Sequence, residues 1–202
     1  TGENCTVCAD DTCPSGRYGF SMVYDSEFRK VILFGGSGTN NETWEWDGNS
    51  WTQLNPENKP SERSFQAMAY DTSHKETVLF GGNVYQGTNP NNETWKWDGI
   101  NWSQINYLPT PSEREGHTMA YDSARGKVVL FGGTTNLGAN DETWEWDGTV
   151  WIKIKGQSCV SKDCTVCNSD TCPSARSYHS MVYDNIRRSE EHTSELQSRQ
   201  VI

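Results

Sequence analysis

Four cysteines stand close together at Cys159, Cys164, Cys167 and Cys172, spaced Cys-x4-Cys-x2-Cys-x4-Cys. Three more, Cys5, Cys8 and Cys13, repeat the last three at an offset of 159 residues, within nearly the same phrase, Cys-Thr-Val-Cys-x4-Cys-Pro-Ser. The counterpart of Cys159 would fall just before Thr1, so the odd total of seven needs no free thiol. Thiolate chemistry offers two readings. Cys159, Cys164, Cys167 and Cys172 could hold a zinc ion as a tetrathiolate. Alternatively, Cys5, Cys8, Cys13, Cys159, Cys164, Cys167 and Cys172 could form local disulfides in an exported protein. The spacing is not that of a familiar zinc ribbon, and the segment reads as a loop inserted between repeats. Disulfides, and with them an extracellular or cell-surface setting, are the favoured expectation, with zinc the alternative.

Little else invites chemistry. His117 and His179 share one repeat position, which Phe20 and Gln66 occupy in other copies. Phenylalanine supplies no ligand atom, so the position reads as packing rather than as a metal pair. His74 falls in a polar turn. Ser180 beside His179 forms no nucleophile–base pair, because neighbours on a strand point to opposite faces. Asp10–Asp11 and the pair Glu113 and Glu115 fall in loops, without the spacing of a calcium loop. No glycine-rich loop cradles phosphate. Glycosylation sequons begin at Asn4, Asn41, Asn92 and Asn101; three of them lie in a recurring phrase, so repetition accounts for them. No catalytic residue and no cofactor is assigned, and the chain reads as non-enzymatic.

What must position these groups is a repeat. Glu-Thr-Trp-x-Trp-Asp-Gly-x-x-Trp occurs at 42–51, 93–102 and 142–151, and all nine tryptophans lie inside those copies. Each unit opens on an Arg (Arg17, Arg63, Arg114, Arg176) and runs to a Tyr-Asp pair. After a short turn comes an apolar run ending in Gly-Gly, as in Val31–Gly36, Thr77–Gly82 and Val128–Gly133. These runs are too short for helices and rich in β-branched residues, and they predict strands buried on both faces. The Trp-x-Trp strand alternates, Asp-Gly marks a tight turn, and a fourth strand starts at the last Trp. Each unit therefore predicts four short antiparallel strands.

One such sheet cannot bury both faces. The near-identical units, 46, 51 and 62 residues apart from Arg to Arg, favour sheets packed face against face around an axis. The glycine pair suits the close approach of a neighbouring sheet. The repeated Arg residues are expected to bond carboxylates or carbonyls within or between units.

The series Arg…Tyr-Asp…Phe-Gly-Gly…Thr-Trp-x-Trp-Asp-Gly…Trp resembles the kelch repeat of bacterial β-propeller proteins across residues 17–187. The resemblance implies an all-β fold, a partial kelch-type propeller with four-stranded antiparallel blades at about 17–59, 60–110 and 111–156. A fourth blade would begin at 173–187, with Cys-rich loops at 1–14 and 157–173. It implies binding through loops as the usual role. A minority of such propellers are enzymes, among them copper-radical oxidases, which need Tyr, His and Cys converging at the ring centre; no such set can be placed here. The alternatives are therefore a propeller domain of a larger oxidase-like enzyme, or a structural cell-surface module.

Residues 188–198, Arg-Ser-Glu-Glu-His-Thr-Ser-Glu-Leu-Gln-Ser, match the translation of a common sequencing adapter. Residues 188–202 are accordingly read as an artefactual tail and carry no weight in the fold. The chain begins with Thr1 rather than Met, and it is expected to be a piece of a longer protein.

Antiparallel order divides the connections between two ends. One end carries short, near-constant turns. The other carries the variable segments, 37–41, 83–92 and 134–141 after the Gly pairs, with the linkers 55–60, 106–111 and 153–173. Recognition loops on a rigid scaffold belong at such an end. Tyr85, Tyr107 and Asn136 are its candidate contacts, for an unidentified protein or glycan partner. The net charge of −10 argues against nucleic acid, which requires clustered Lys and Arg. No apolar stretch is long enough to insert in a membrane.

Overall fold

The computed structural model describes residues 13–37, 40–84, 90–155 and 173–184. The first sheet contains β1 (Ser21–Asp25), β2 (Lys30–Phe34), β3 (Thr43–Trp46) and β4 (Trp51–Leu54), hydrogen-bonded in that order. A two-residue strand, β5 (Arg63–Ser64), leads into the second sheet. That sheet contains β6 (Ala67–Asp71) and β7 (Glu76–Phe80), then β9 (Thr94–Trp97) and β10 (Trp102–Ile105), while β8 (Asn83–Val84) pairs with β5. The third sheet contains β11 (Thr118–Asp122) and β12 (Lys127–Phe131), then β15 (Thr143–Trp146) and β16 (Trp151–Lys155). Between β12 and β15 stands a small ribbon of β13 (Thr134–Thr135) and β14 (Gly138–Ala139). Every pairing is antiparallel, and no helix occurs among the described residues.

The registers explain the repeat phrase. Trp46 pairs with Trp51, Trp97 with Trp102 and Trp146 with Trp151. These rings pack at centroid distances of 5.4 to 5.6 Å. Asp47, Asp98 and Asp147 each accept backbone N–H bonds from the two residues that close the turn.

The sheets stack face to face. β7 shows this residue by residue. Leu79 belongs to a core shared with Ile32 and Phe34 of the first sheet, whereas Val78 and Phe80 belong to a core shared with Leu130, Trp146 and Trp151 of the third. A strand buried on both faces has no polar alternation, which is why these runs are continuously apolar. The first strands adjoin one another, β1 beside β6 and β6 beside β11. Sheets that meet at their first strands radiate from a common axis, a propeller-like arrangement of blades.

Two repeated devices join the blades. The indole N–H of Trp102 donates to Thr43 Oγ1 of the first blade, and that of Trp151 to Thr94 Oγ1 of the second, both at 2.9 Å. Backbone bonds stitch the axial end: Gly36, Gly82 and Gly133 donate to the carbonyls of Arg63, Arg114 and Arg176 in the following repeat, each at 2.9 Å. The preceding glycine makes this possible, since a Cβ on Gly81 or Gly132 would come within 2.6 Å of those Arg carbonyls. Residues 173–184 form no strand, yet Arg176 docks through the same bond as its counterparts.

Each repeated Arg is held within its own blade. Arg63 donates to the Ser61 carbonyl and hydroxyl, the Gly81 carbonyl and the Glu93 carboxylate. Arg114 does the same with Ser112, Gly132 and Glu142. Glu42, Glu93 and Glu142 also accept from the indoles of Trp44, Trp95 and Trp144. The repeated Glu-Thr-Trp is thus one assembly: the acid holds the Arg and the first Trp, and the Thr awaits the Trp of the next blade.

Among the described residues no blade covers the outer face of the first. Met68 and Tyr70 are each 6% exposed, while their counterparts Met22 and Tyr24 are 50% and 54% exposed.

Candidate functional site

The variable segments meet around a cavity of about 380 Å³. The β13–β14 ribbon supplies Thr135, Asn136 and Leu137, the linker before the third blade supplies Ser112 and Glu113, and Asn92 and Asp141 complete the polar wall. The ribbon is set by local bonds: Thr135 Oγ1 accepts from Leu137 N–H and donates to the Gly138 carbonyl. Asn136 Nδ2 reaches across to Glu113 Oε2 at 3.3 Å. Glu113 and Asp141 enter no ion pair among the described residues, whereas Arg114 and Lys153 are both committed to Glu142. The cavity therefore offers amides, hydroxyls and two carboxylates outside any ion pair among the described residues, a set suited to a polar ligand.

Of the expected contacts, Asn136 lines this cavity. Tyr107 is 66% exposed on its linker and stands outside the lining. Tyr85 lies outside the described residues. The linker at 55–60 is not confined to the loop end: Glu57 N–H donates to Asn101 Oδ1, and the Asn58 carbonyl accepts from Trp102 N–H beside the turn of the second blade. The unpaired outer edge of β10 recruits it, since the Trp102 N–H points away from β9.

Among the cysteines only Cys13 is a described residue. Cys5, Cys8, Cys159, Cys164, Cys167 and Cys172 lie outside the described residues, and with them both the disulfide set and the zinc alternative.

The shared histidine position is a packing site. His117 is buried, with its ring edge-on to Phe80 of the preceding blade at 5.5 Å, and His179 meets Phe131 in the same way. Burial, reinforced by the positive charge of Arg114, holds the His117 pKa down at about 3. The folded value lies below the ordinary one near 6.5, so the unfolded chain takes the proton first. This contribution is complete above about pH 6.5 and is lost as pH falls towards 3, with a slope of up to about 1.4 kcal/mol per pH unit. His117→Gln is expected to remove that slope, because Gln66 fills the same position and donates to the Phe34 carbonyl at 2.8 Å. Urea midpoints of both proteins at pH 7 and pH 5 check this: the wild-type midpoint falls more than that of the variant.

A second feature at this end escaped the sequence reading. The residue two places after each repeated Arg, Gly19, Phe65, Gly116 and Tyr178 in turn, has a positive φ of 66°, 59°, 62° and 55°. The last three N–H groups each donate to the equivalent carbonyl of the preceding repeat, Phe65 to Gly19 at 2.6 Å, Gly116 to Phe65 at 2.9 Å and Tyr178 to Gly116 at 2.7 Å. The Phe65 and Tyr178 rings meet edge-on at 5.3 Å although a whole repeat separates them. Such contact is possible only where the blades converge, so these residues ring the axis. Holding a bulky side chain in this backbone region costs about 1–2 kcal/mol. The visible signal was alternation of glycine and aromatic at one register position, which reads as noise until the positive φ is known.

No protein-family model matches the chain, and no curated protein matches it. Among the described residues, no helix is long and apolar enough to cross a membrane.

Proposed function

We propose that this chain is a kelch-type propeller segment acting as a non-enzymatic binding module, which recognises a protein or glycan through the variable loops at one end. The observation that carries this reading is the cavity lined mainly by those loops and the residues beside them, with Asn136 hydrogen-bonded to Glu113 on its wall. Loops of varied length held on blades of constant geometry are the arrangement in which recognition changes without disturbing the scaffold. The cysteine phrases fit disulfide-stapled loops of an extracellular or cell-surface protein.

The test is a screen of a glycan array and a peptide library with the wild-type chain and an Asn136→Ala/Glu113→Ala variant. Expected is a ligand whose binding drops at least tenfold in the variant while the thermal midpoint holds. No ligand in either library, or ligands indifferent to the double substitution, would contradict the assignment.

A further inference from the structure

The axial aromatics carry an inference that rests on the loop-end reading and narrows its partner. We infer that Tyr178 and Phe65, with Glu115, form a seat for the cationic side chain of a basic peptide segment.

Three independent observations point there. The first is backbone strain without a scaffold requirement. Gly19 and Gly116 take the same positive φ and join the same chain of N–H bonds, so the blades need no side chain at this position. Phe65 and Tyr178 are nonetheless held in it, and strain of this kind gathers at binding sites. The glycines make room: a Cβ on Gly19 would lie 3.0 Å from Phe65 Cε1, and one on Gly116 would lie 2.9 Å from Tyr178 Cε1. Each aromatic therefore leans over the glycine of the preceding repeat.

The second is exposure. Tyr178 is 60% exposed and Tyr18 is 68% exposed, and Phe65 contacts both rings, at 5.3 and 6.0 Å. A cluster of aromatic faces open to solvent attracts a cation through the ring quadrupole.

The third is charge. Glu115 Oε1 accepts the Tyr178 hydroxyl at 3.2 Å, while Glu115 Oε2 is buried without a hydrogen-bond partner. Glu113, two residues earlier, lines the adjoining cavity, where it accepts from Asn136 Nδ2 but enters no ion pair among the described residues. The described cations beside the axis do not compensate these acids. Arg17, Arg63 and Arg114 are turned into their blades onto Glu42, Glu93 and Glu142, and Arg176 is bonded to Ser174. Aromatic faces beside an uncompensated carboxylate fit a guanidinium or ammonium group, and the chain's net charge of −10 steers such a partner inward.

The probe is a capped Gly-Arg-Gly peptide, titrated calorimetrically into the 202-residue chain beside its citrulline counterpart, which keeps the shape and removes the charge. The arginine peptide is expected to bind at least tenfold more tightly. Tyr178→Gly and Glu115→Gln each abolish that preference, and Tyr178→Gly leaves the thermal midpoint unchanged or raised because glycine already fills this position in two repeats. Equal binding of the two peptides overturns the inference. So does a preference that survives both substitutions, which would mark a diffuse attraction to the acidic surface. Binding of a neutral glucose hexasaccharide, lost in Tyr178→Gly with no arginine preference, also overturns it in favour of a glycan. A ligand found through the Asn136→Ala/Glu113→Ala screen, with no arginine preference here, leaves the loop-end function standing and removes only the cationic seat.

Discussion

Trp151→Ala is expected to lower the stability of the folded chain by about 3–5 kcal/mol, the usual cost of emptying a buried tryptophan site. Trp151 is 1% exposed, and it does three things at once. Its ring packs against Trp146 of its own blade, its edge meets Phe80 of the second blade, and its N–H donates to Thr94 Oγ1. Alanine leaves a cavity between two blades and a threonine hydroxyl without its donor. Trp102 has the same surroundings one blade earlier and predicts the same loss. Trp51 is the internal control. It packs on Trp46 but, in the described residues, has no preceding blade to meet, and Trp51→Ala should cost less than half as much. Urea titrations of the three variants check the ordering; equal losses at all three positions would contradict inter-blade packing as the main role of this residue.

Arg114→Ala is expected to cost a similar amount, about 3–5 kcal/mol, for a different reason. Removing Arg114 takes from the buried Glu142 carboxylate one of its two cations, leaving Lys153 on Oε1 and only the Trp144 indole on Oε2. The Arg114 and Glu142 side chains are 0% and 4% exposed, so water cannot replace the lost partner. The Gly132 carbonyl and the Ser112 hydroxyl lose their donors at the same time. Burial pushes the Glu142 carboxyl up, but hydrogen bonds from Lys153, Arg114 and Trp144 outweigh it and hold the group below the usual carboxylate range. Its contribution is therefore present above about pH 4.5 and lost as pH falls further. Arg114→Lys should rescue little, because one ammonium cannot reproduce the guanidinium fork. At Arg17, whose partner Glu42 is 32% exposed, the same truncation should cost only about 1 kcal/mol, since water reaches the stranded carboxylate. Denaturant midpoints for the two Ala variants measure the contrast.

Most of the architecture was legible because the repeat phrase prints it three times. Continuous apolar runs before the glycine pairs announced strands covered on both faces, and the division of Leu79 from Val78 and Phe80 between two cores shows why no polar residue interrupts them. The glycine pair was legible as close approach for the same reason. The reach of Glu-Thr-Trp was not: its threonine serves a tryptophan 57 to 59 residues away, and no local pattern encodes that distance. The ribbons escaped detection because two-residue strands carry no alternation. At the candidate site, Asn136 was legible as part of a variable loop, but its opposition to Glu113 depends on how the preceding linker passes. Tyr107, expected as a contact of the loop end, stands exposed on its linker outside the cavity lining. The axial position was illegible because its meaning lies in φ, which glycine and two aromatics share here against their ordinary preferences.

Exchange of the indole N–H protons with deuterium, followed by NMR on the native chain, reads the stacking of blades most directly. The account predicts that Trp102 and Trp151 exchange slowly, because each is sealed against a threonine of the preceding blade, while Trp51 exchanges orders of magnitude faster. Comparable rates for all three indoles would show that successive sheets do not bury one another's tryptophans, and the account would be wrong.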